Sequence, residues 1–299
     1  MSVSAFWERM TVWSLRHRGV KAELMTFDRY QMSTLKVIKK KIKDPSKRIV
    51  CIHGLGSSAA AYGSLLPLLS TYWEQVLAPS APSHGMSPPL PKETETSNAG
   101  NRFQSRIYQA WETCLLQLSS DQPIDLLGVS LGGAVAIRFA SKYPKRVSTL
   151  MLCSPAGAIL DEADIDHLRK VFSMKNWGDG FRFLQTLYHR VPWWGRIIAP
   201  LVRLSLSRPE AQALITQLKP GDGLKVSELS SLDVPVLLIW GQEERVLPSS
   251  SLKKLLDHFP KDLILLQPEH FSHTPQKEYP SDLAQHLISF QEQVEHISS

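Results

Sequence analysis

The chain is poor in cysteine: Cys51, Cys114 and Cys153 are its only three in 299 residues. They are an odd number, far apart, and without the paired spacing of a metal site. A disulfide scaffold and a cysteine-ligated metal are therefore excluded, and reduced thiols in an intracellular, cytoplasmic protein are expected. No run of about eighteen apolar residues exists to span a membrane. Near the N-terminus Glu8 and Arg9 interrupt Phe6, Trp7 and Met10, so the continuous apolar stretch of a signal peptide is missing as well. Charged residues make up only 21% against 43% hydrophobic, which excludes a disordered chain. No internal repeat or low-complexity segment appears.

The net charge of +6 is unevenly placed. Residues 1–50 hold twelve Lys and Arg against four Asp and Glu, a balance of +8, so the rest of the chain sums to −2. The densest part runs from Lys36 through Lys39, Lys40, Lys41, Lys43 and Lys47 to Arg48. It lacks the interleaved aromatics and modules of a nucleic-acid surface, and no nucleic-acid partner is expected. Leu35, Val37 and a turn at Asp44-Pro45-Ser46 predict an edge hairpin, where lysines block edge-to-edge pairing. Upstream, Val3, Phe6, Trp7, Met10 and Trp13 fall on one face of an amphipathic helix within residues 1–20. Such a helix either packs on its own domain or, with the Lys-rich segment, makes peripheral contact with an anionic membrane.

From Arg48 onward, strand-length apolar runs alternate with segments of helical period. Strands are predicted at 48–52, 75–78, 124–129, 147–153, 234–240 and 263–266. Helical character runs over 59–73, around Ile107 to Leu118, over 134–143 and from 281 to about 296. Alternation of this kind means an α/β fold with a mostly parallel sheet covered on both faces. It breaks between about 155 and 229, where Asp161 to Met174, Gly178 to Arg190 and Pro209 to Leu218 read as helices, with Pro192, Pro200 and Pro220 as breakers. This all-helical insertion divides the core into 21–154 and 230–299, and it leaves from the carboxyl edge of the sheet, where open α/β folds bind ligands.

Gly128-Val129-Ser130-Leu131-Gly132 joins a strand to a helix. Glycines on both sides of a serine allow a sharp turn that lifts its hydroxyl above the sheet. A hydroxyl needs a base held by a third group. The loop Trp240 to Pro248 offers Glu243 and Glu244, and Glu269-His270-Phe271-Ser272-His273 follows the last strand. The chain order is serine, acid, histidine.

On these motifs, together with His53-Gly54-Leu55-Gly56 and Ser83-His84-Gly85-Met86-Ser87, the sequence resembles the α/β-hydrolase superfamily from about residue 21 onward, specifically its cap-bearing esterase, lipase and carbon–carbon hydrolase group. The resemblance implies Ser130 as nucleophile, His270 as general base and Glu244 as the acid, with Glu243 as the alternative and His273 as a supporting second histidine. It implies an oxyanion hole from the Leu55 and Leu131 amides, no metal or other cofactor, and the segment 155–229 as a cap. His53, Gly54, Phe172 and Trp177 are the expected substrate contacts. The expected reaction is hydrolysis of medium-chain or monoacylglycerol-like carboxylic esters through an acyl-enzyme. Hydrolysis of carbon–carbon bonds in ring-fission products, acyl transfer and thioester hydrolysis use the same triad, and a non-enzymatic binding protein on this fold is the remaining alternative.

Overall fold

In the computed structural model, residues 3–39, 44, 47–91, 102–207, 212 and 215–298 are described. Eight strands build one sheet: β1 (Lys21–Phe27), β2 (Tyr30–Ile38), β3 (Arg48–Ile52), β4 (Gln75–Pro79), β5 (Ile124–Val129), β6 (Val147–Cys153), β7 (Val236–Ile239) and β8 (Ile264–Leu266). Their order is β1-β2-β4-β3-β5-β6-β7-β8, antiparallel from β1 to β4 and parallel from there to β8. Every residue of β5 and β7 is buried. Their near-continuous Ile, Leu and Val suit strands covered on both faces. One face packs against Trp111, Cys114 and Leu115 of α3 (Arg102–Leu118) and against α4 (Leu131–Lys142). The other packs against Tyr62 and against Leu66 and Leu69 of α2 (Leu66–Leu69), and against Leu283, Leu287 and Phe290 of the C-terminal helix Pro280–Ser298. The three cysteines are free and buried.

The strands expected at 48–52, 124–129 and 147–153 have those bounds. The N-terminal region differs. The edge hairpin is β1 with β2, turning at Asp28-Arg29, one step earlier than the turn expected at Asp44-Pro45-Ser46. β2 and β3 cannot form a hairpin because β4 lies between them. Within the basic segment, residues 40–43, 45 and 46 lie outside the described set. Lys36, Lys39, Lys47 and Arg48 are each paired with a carboxylate, of Glu23, Glu74, Glu295 and Asp121 respectively. The first helix, α1 (Val3–Leu15), packs on the domain through the face opposite to its apolar stripe. Ala5, Glu8, Val12 and Leu15 turn inward, and Phe6, Trp7, Met10 and Trp13 stand exposed. Hydrogen bonds explain this orientation: the buried Glu8 carboxylate accepts from the hydroxyls of Ser33 and Ser80, and a buried charge requires such partners.

The expected helix over 59–73 is split into a 3₁₀ turn (Ala59–Tyr62) and α2. Between β6 and β7, α5 (Glu162–Val171), α6 (Asp179–Leu187), α7 (Gly195–Leu206) and α8 (Val226–Ser230) are found, with no strand among the described residues. The helix expected from Pro209 to Leu218 falls mostly on residues outside the described set. Sequence reasoning missed α7 because Pro200 looks like a breaker. Pro200 is exposed, while Ala199, Ile198 and Val202 pack on Leu184 and Tyr188, and that burial outweighs one lost backbone hydrogen bond.

Candidate active site

Ser130 sits at the tight junction between β5 and α4. Ser130 has φ 55° and ψ −123°, a conformation that costs a non-glycine residue about 1–3 kcal/mol and persists only when surrounding structure enforces it. That structure is present. The Ser130 amide donates to Cys153 O (3.1 Å), and Ser130 O accepts from the amides of Gly133 (2.8 Å) and Ala156 (2.9 Å). Gly132 is required because a Cβ there would lie 2.0 Å from Ile52 O. Gly54 lets the loop after β3 approach the elbow, since its Cβ would lie 3.0 Å from Ser130 Cβ. Leu55 and Leu131 are thereby brought to the wall of the same cavity as Ser130.

The loop after β3 is itself held from behind. His53 is buried, and its Nε2 accepts from the Ala81 amide at 3.0 Å. The proton therefore sits on Nδ1, which donates to Gly54 O at 2.9 Å. Burial, reinforced by nearby His84, lowers its pKa to about 3 against the pull of the Gly54 bond, so the ring is neutral. Gly54 O belongs to the peptide whose N–H is that of Leu55, so His53 fixes the plane of that donor. It lies behind the loop after β3 and is absent from the cavity wall, unlike the substrate contact expected of it.

Glu244 and His273 meet at the carboxyl ends of β7 and β8. His273 Nδ1 lies 2.8 Å from Glu244 Oε2, and the two side chains are 6% and 3% exposed. The other carboxylate oxygen, Oε1, accepts from the amides of Val246 (2.8 Å) and Leu247 (3.0 Å). Burial alone would raise the Glu244 pKa. His273, Ser154 and the Leu247 amide outweigh it and hold the carboxyl below its ordinary value. With Nδ1 engaged as donor, Nε2 is the ring's acceptor. Glu243 instead pairs with Arg245.

The expected pairing of Glu244 with His270 is not found. His270 occupies the outer corner of a turn closed by the Phe271 amide on Pro268 O, and its Nε2 meets Asp282 at 3.0 Å with both side chains about half exposed. Phe271 then enters the core, and the loop continues inward to His273. Ser272 and Thr274, on either side of His273, both donate to Leu187 O at the end of α6 (3.1 and 3.2 Å). The sequence carried a signal for this: Pro268-Glu269-His270-Phe271 has the proline and polar pair of a turn, which turns His270 outward.

A cavity of about 1270 Å³ opens over Ser130, lined by Leu55, Leu131, Leu160, Phe172, Leu224 and Leu247 among others. Phe172, one of the expected substrate contacts, lines this cavity. Trp177, another, does not line it: it is 79% exposed and lies under the Arg203 guanidinium, outside the cavity. It sits in the short turn before α6, with most of its ring in solvent.

Residues 47–278 match the family described as alpha/beta hydrolase fold. The chain belongs to that family. Over 223 residues, 70% of this chain and 80% of the relative, it is 26% identical to the pimeloyl-[acyl-carrier protein] methyl ester esterase of Neisseria meningitidis serogroup B (strain H44/76). Among solved structures it shares the fold of the 2-hydroxy-6-oxo-6-phenylhexa-2,4-dienoate hydrolase of Rhodococcus sp. strain RHA1, with TM-score 0.74, 19% identity and 91% and 99% of the two chains covered. It also shares the fold of the naproxen esterase of Bacillus subtilis, with TM-score 0.67, 17% identity and 97% and 99% covered. The fold is also that of the carboxylesterase CesB of Bacillus subtilis, with TM-score 0.69, 16% identity and 96% and 98% of the two chains covered.

Proposed function

We propose that this α/β hydrolase cleaves carboxylic esters through a serine acyl-enzyme, with Ser130 as nucleophile, His273 as general base and Glu244 as the orienting acid. The buried Glu244–His273 pair carries the reading, because it holds one imidazole tautomer with a basic Nε2. Ser130 Oγ attacks the ester carbonyl carbon while its proton passes to His273 Nε2. The Leu55 and Leu131 amides hold the resulting oxyanion. The tetrahedral intermediate collapses by breaking the C–O bond, and the leaving alkoxide takes the proton from His273. Water then attacks the acyl-enzyme by the same route, releasing the acid and regenerating Ser130.

Leu55, Leu131, Leu160, Phe172, Leu224 and Leu247, on a cavity wall that also carries polar and charged residues, support a medium-chain or monoacylglycerol-like acyl group, and the helical segment between β6 and β7 serves as a cap over it. The 26% identical relative bears the name of a methyl ester esterase, which agrees with an ester substrate. A chain-length series of p-nitrophenyl esters tests this. Activity that peaks at medium acyl length in the wild type and is lost in Ser130→Ala supports the proposal; full activity in Ser130→Ala overturns it.

A further inference from the structure

Among the described residues, large exposed apolar side chains concentrate on two helices. On α1 they are Phe6, Trp7, Met10 and Trp13; at and along α7 they are Trp193, Ile197, Leu201 and Leu204. Each set repeats at helical spacing, so each makes one outward stripe. The stripes are joined, since the Trp7 and Trp194 rings lie 6.2 Å apart. Contiguous exposed apolar surface of this kind marks an interaction site.

Charge selects the partner. Glu8 is the only carboxylate in residues 3–18, and it is turned inward onto Ser33 and Ser80. Residues 190–207 contain no carboxylate. Arg9, Arg16, Arg18 and Arg196 are exposed beside the stripes. Aromatic and aliphatic side chains framed by cations, with the one acid withdrawn, match the boundary of an anionic bilayer. No described helix is long and apolar enough to cross a membrane, so the contact lies in the interfacial plane.

We infer that the outward faces of α1 and α7 form one docking surface for anionic lipid bilayers. Its position gives it a use that rests on the lipophilic-ester reading above. At the far end of α7, Leu206 packs against Gly56, one residue from Leu55, so the surface lies over the loop that faces Ser130. Lys36, Lys39, Lys47 and Arg48 are not part of the anchor, because they already hold carboxylates.

Sedimentation of the full chain with vesicles of phosphatidylcholine, with and without phosphatidylglycerol, tests the inference. The wild type is expected to pellet with the anionic vesicles and less with the neutral ones. Phe6→Ser with Trp13→Ser, and separately Ile197→Ser with Leu204→Ser, are each expected to weaken vesicle binding about tenfold or more. Arg9→Gln and Arg16→Gln are expected to weaken it about fivefold each, on anionic vesicles only. These side chains are exposed, so circular dichroism and hydrolysis of a soluble ester should be unchanged, and the arginine variants give an answer even if an apolar pair fails to fold. Ser130→Ala should bind vesicles like the wild type, so failure of the esterase reading would leave this result intact. Equal pelleting of all variants, no pelleting of the wild type, or a wild-type dimer in sedimentation velocity that the apolar variants split would overturn the inference.

Discussion

Glu244 and His273 form a buried pair with 2.8 Å between Oε2 and Nδ1, whereas His270, three residues earlier, holds Asp282 at the surface. The first arrangement fixes a tautomer and excludes water from the bond. The second leaves its histidine and its carboxylate about half exposed to solvent.

Glu244→Gln keeps the shape of the side chain and removes its charge. The amide can still accept from Val246 and Leu247, but it no longer stabilises an imidazolium. We expect kcat on p-nitrophenyl butyrate to fall by about a hundredfold or more with KM little changed. Glu243→Gln, which removes a partner of Arg245 and His189 away from the buried pair, should retain wild-type kinetics.

His53→Ala should lower kcat by about tenfold without a matching rise in KM, because the Leu55 amide loses the bond that fixes its peptide plane. The same variant has a pH signature. The folded pKa of about 3 lies below the ordinary 6.5, so the unfolded chain takes up a proton first as pH falls. The stability that neutral His53 supports is present above pH 6.5 and is lost toward pH 3, by up to about 1.4 kcal/mol per pH unit. Urea midpoints measured from pH 7 to pH 4 should therefore converge between wild type and His53→Ala as pH falls.

Glu8 is raised by burial against the bonds from Ser33, Ser80 and the Met86 backbone. A raised carboxyl supports stability below its unfolded value, near 4.5, and loses that support as pH rises. Glu8→Gln should thus gain on the wild type in urea titrations as pH increases from 4 to 7. Glu8→Ala leaves two buried hydroxyls without their acceptor and should lose about 1–3 kcal/mol.

Much of the core was legible because its signals are local. The strand runs Arg48–Ile52, Ile124–Val129 and Val147–Cys153 contain their own bounds, and Gly128 and Gly132 announce the elbow around Ser130. Where side chains point depends on partners distant in sequence. The apolar stripe of α1 left open whether it faces the domain or a membrane; Ser33 and Ser80 draw Glu8 in and leave Phe6 and Trp13 outside. Trp177 looked like a pocket wall, and only its neighbour Arg203 places it outside. Between His270 and His273, position after the last strand favoured the first, while the turn at Pro268 and the burial of Phe271 favour the second.

The identity of the base is the claim on which the chemistry turns. Parallel kinetics of His273→Gln and His270→Gln on p-nitrophenyl butyrate, with fluorophosphonate labelling of Ser130, test it most directly. The account predicts that His273→Gln loses about a thousandfold or more in kcat and labels poorly, while His270→Gln keeps wild-type turnover and labelling. Loss of activity in His270→Gln with activity retained in His273→Gln would contradict it.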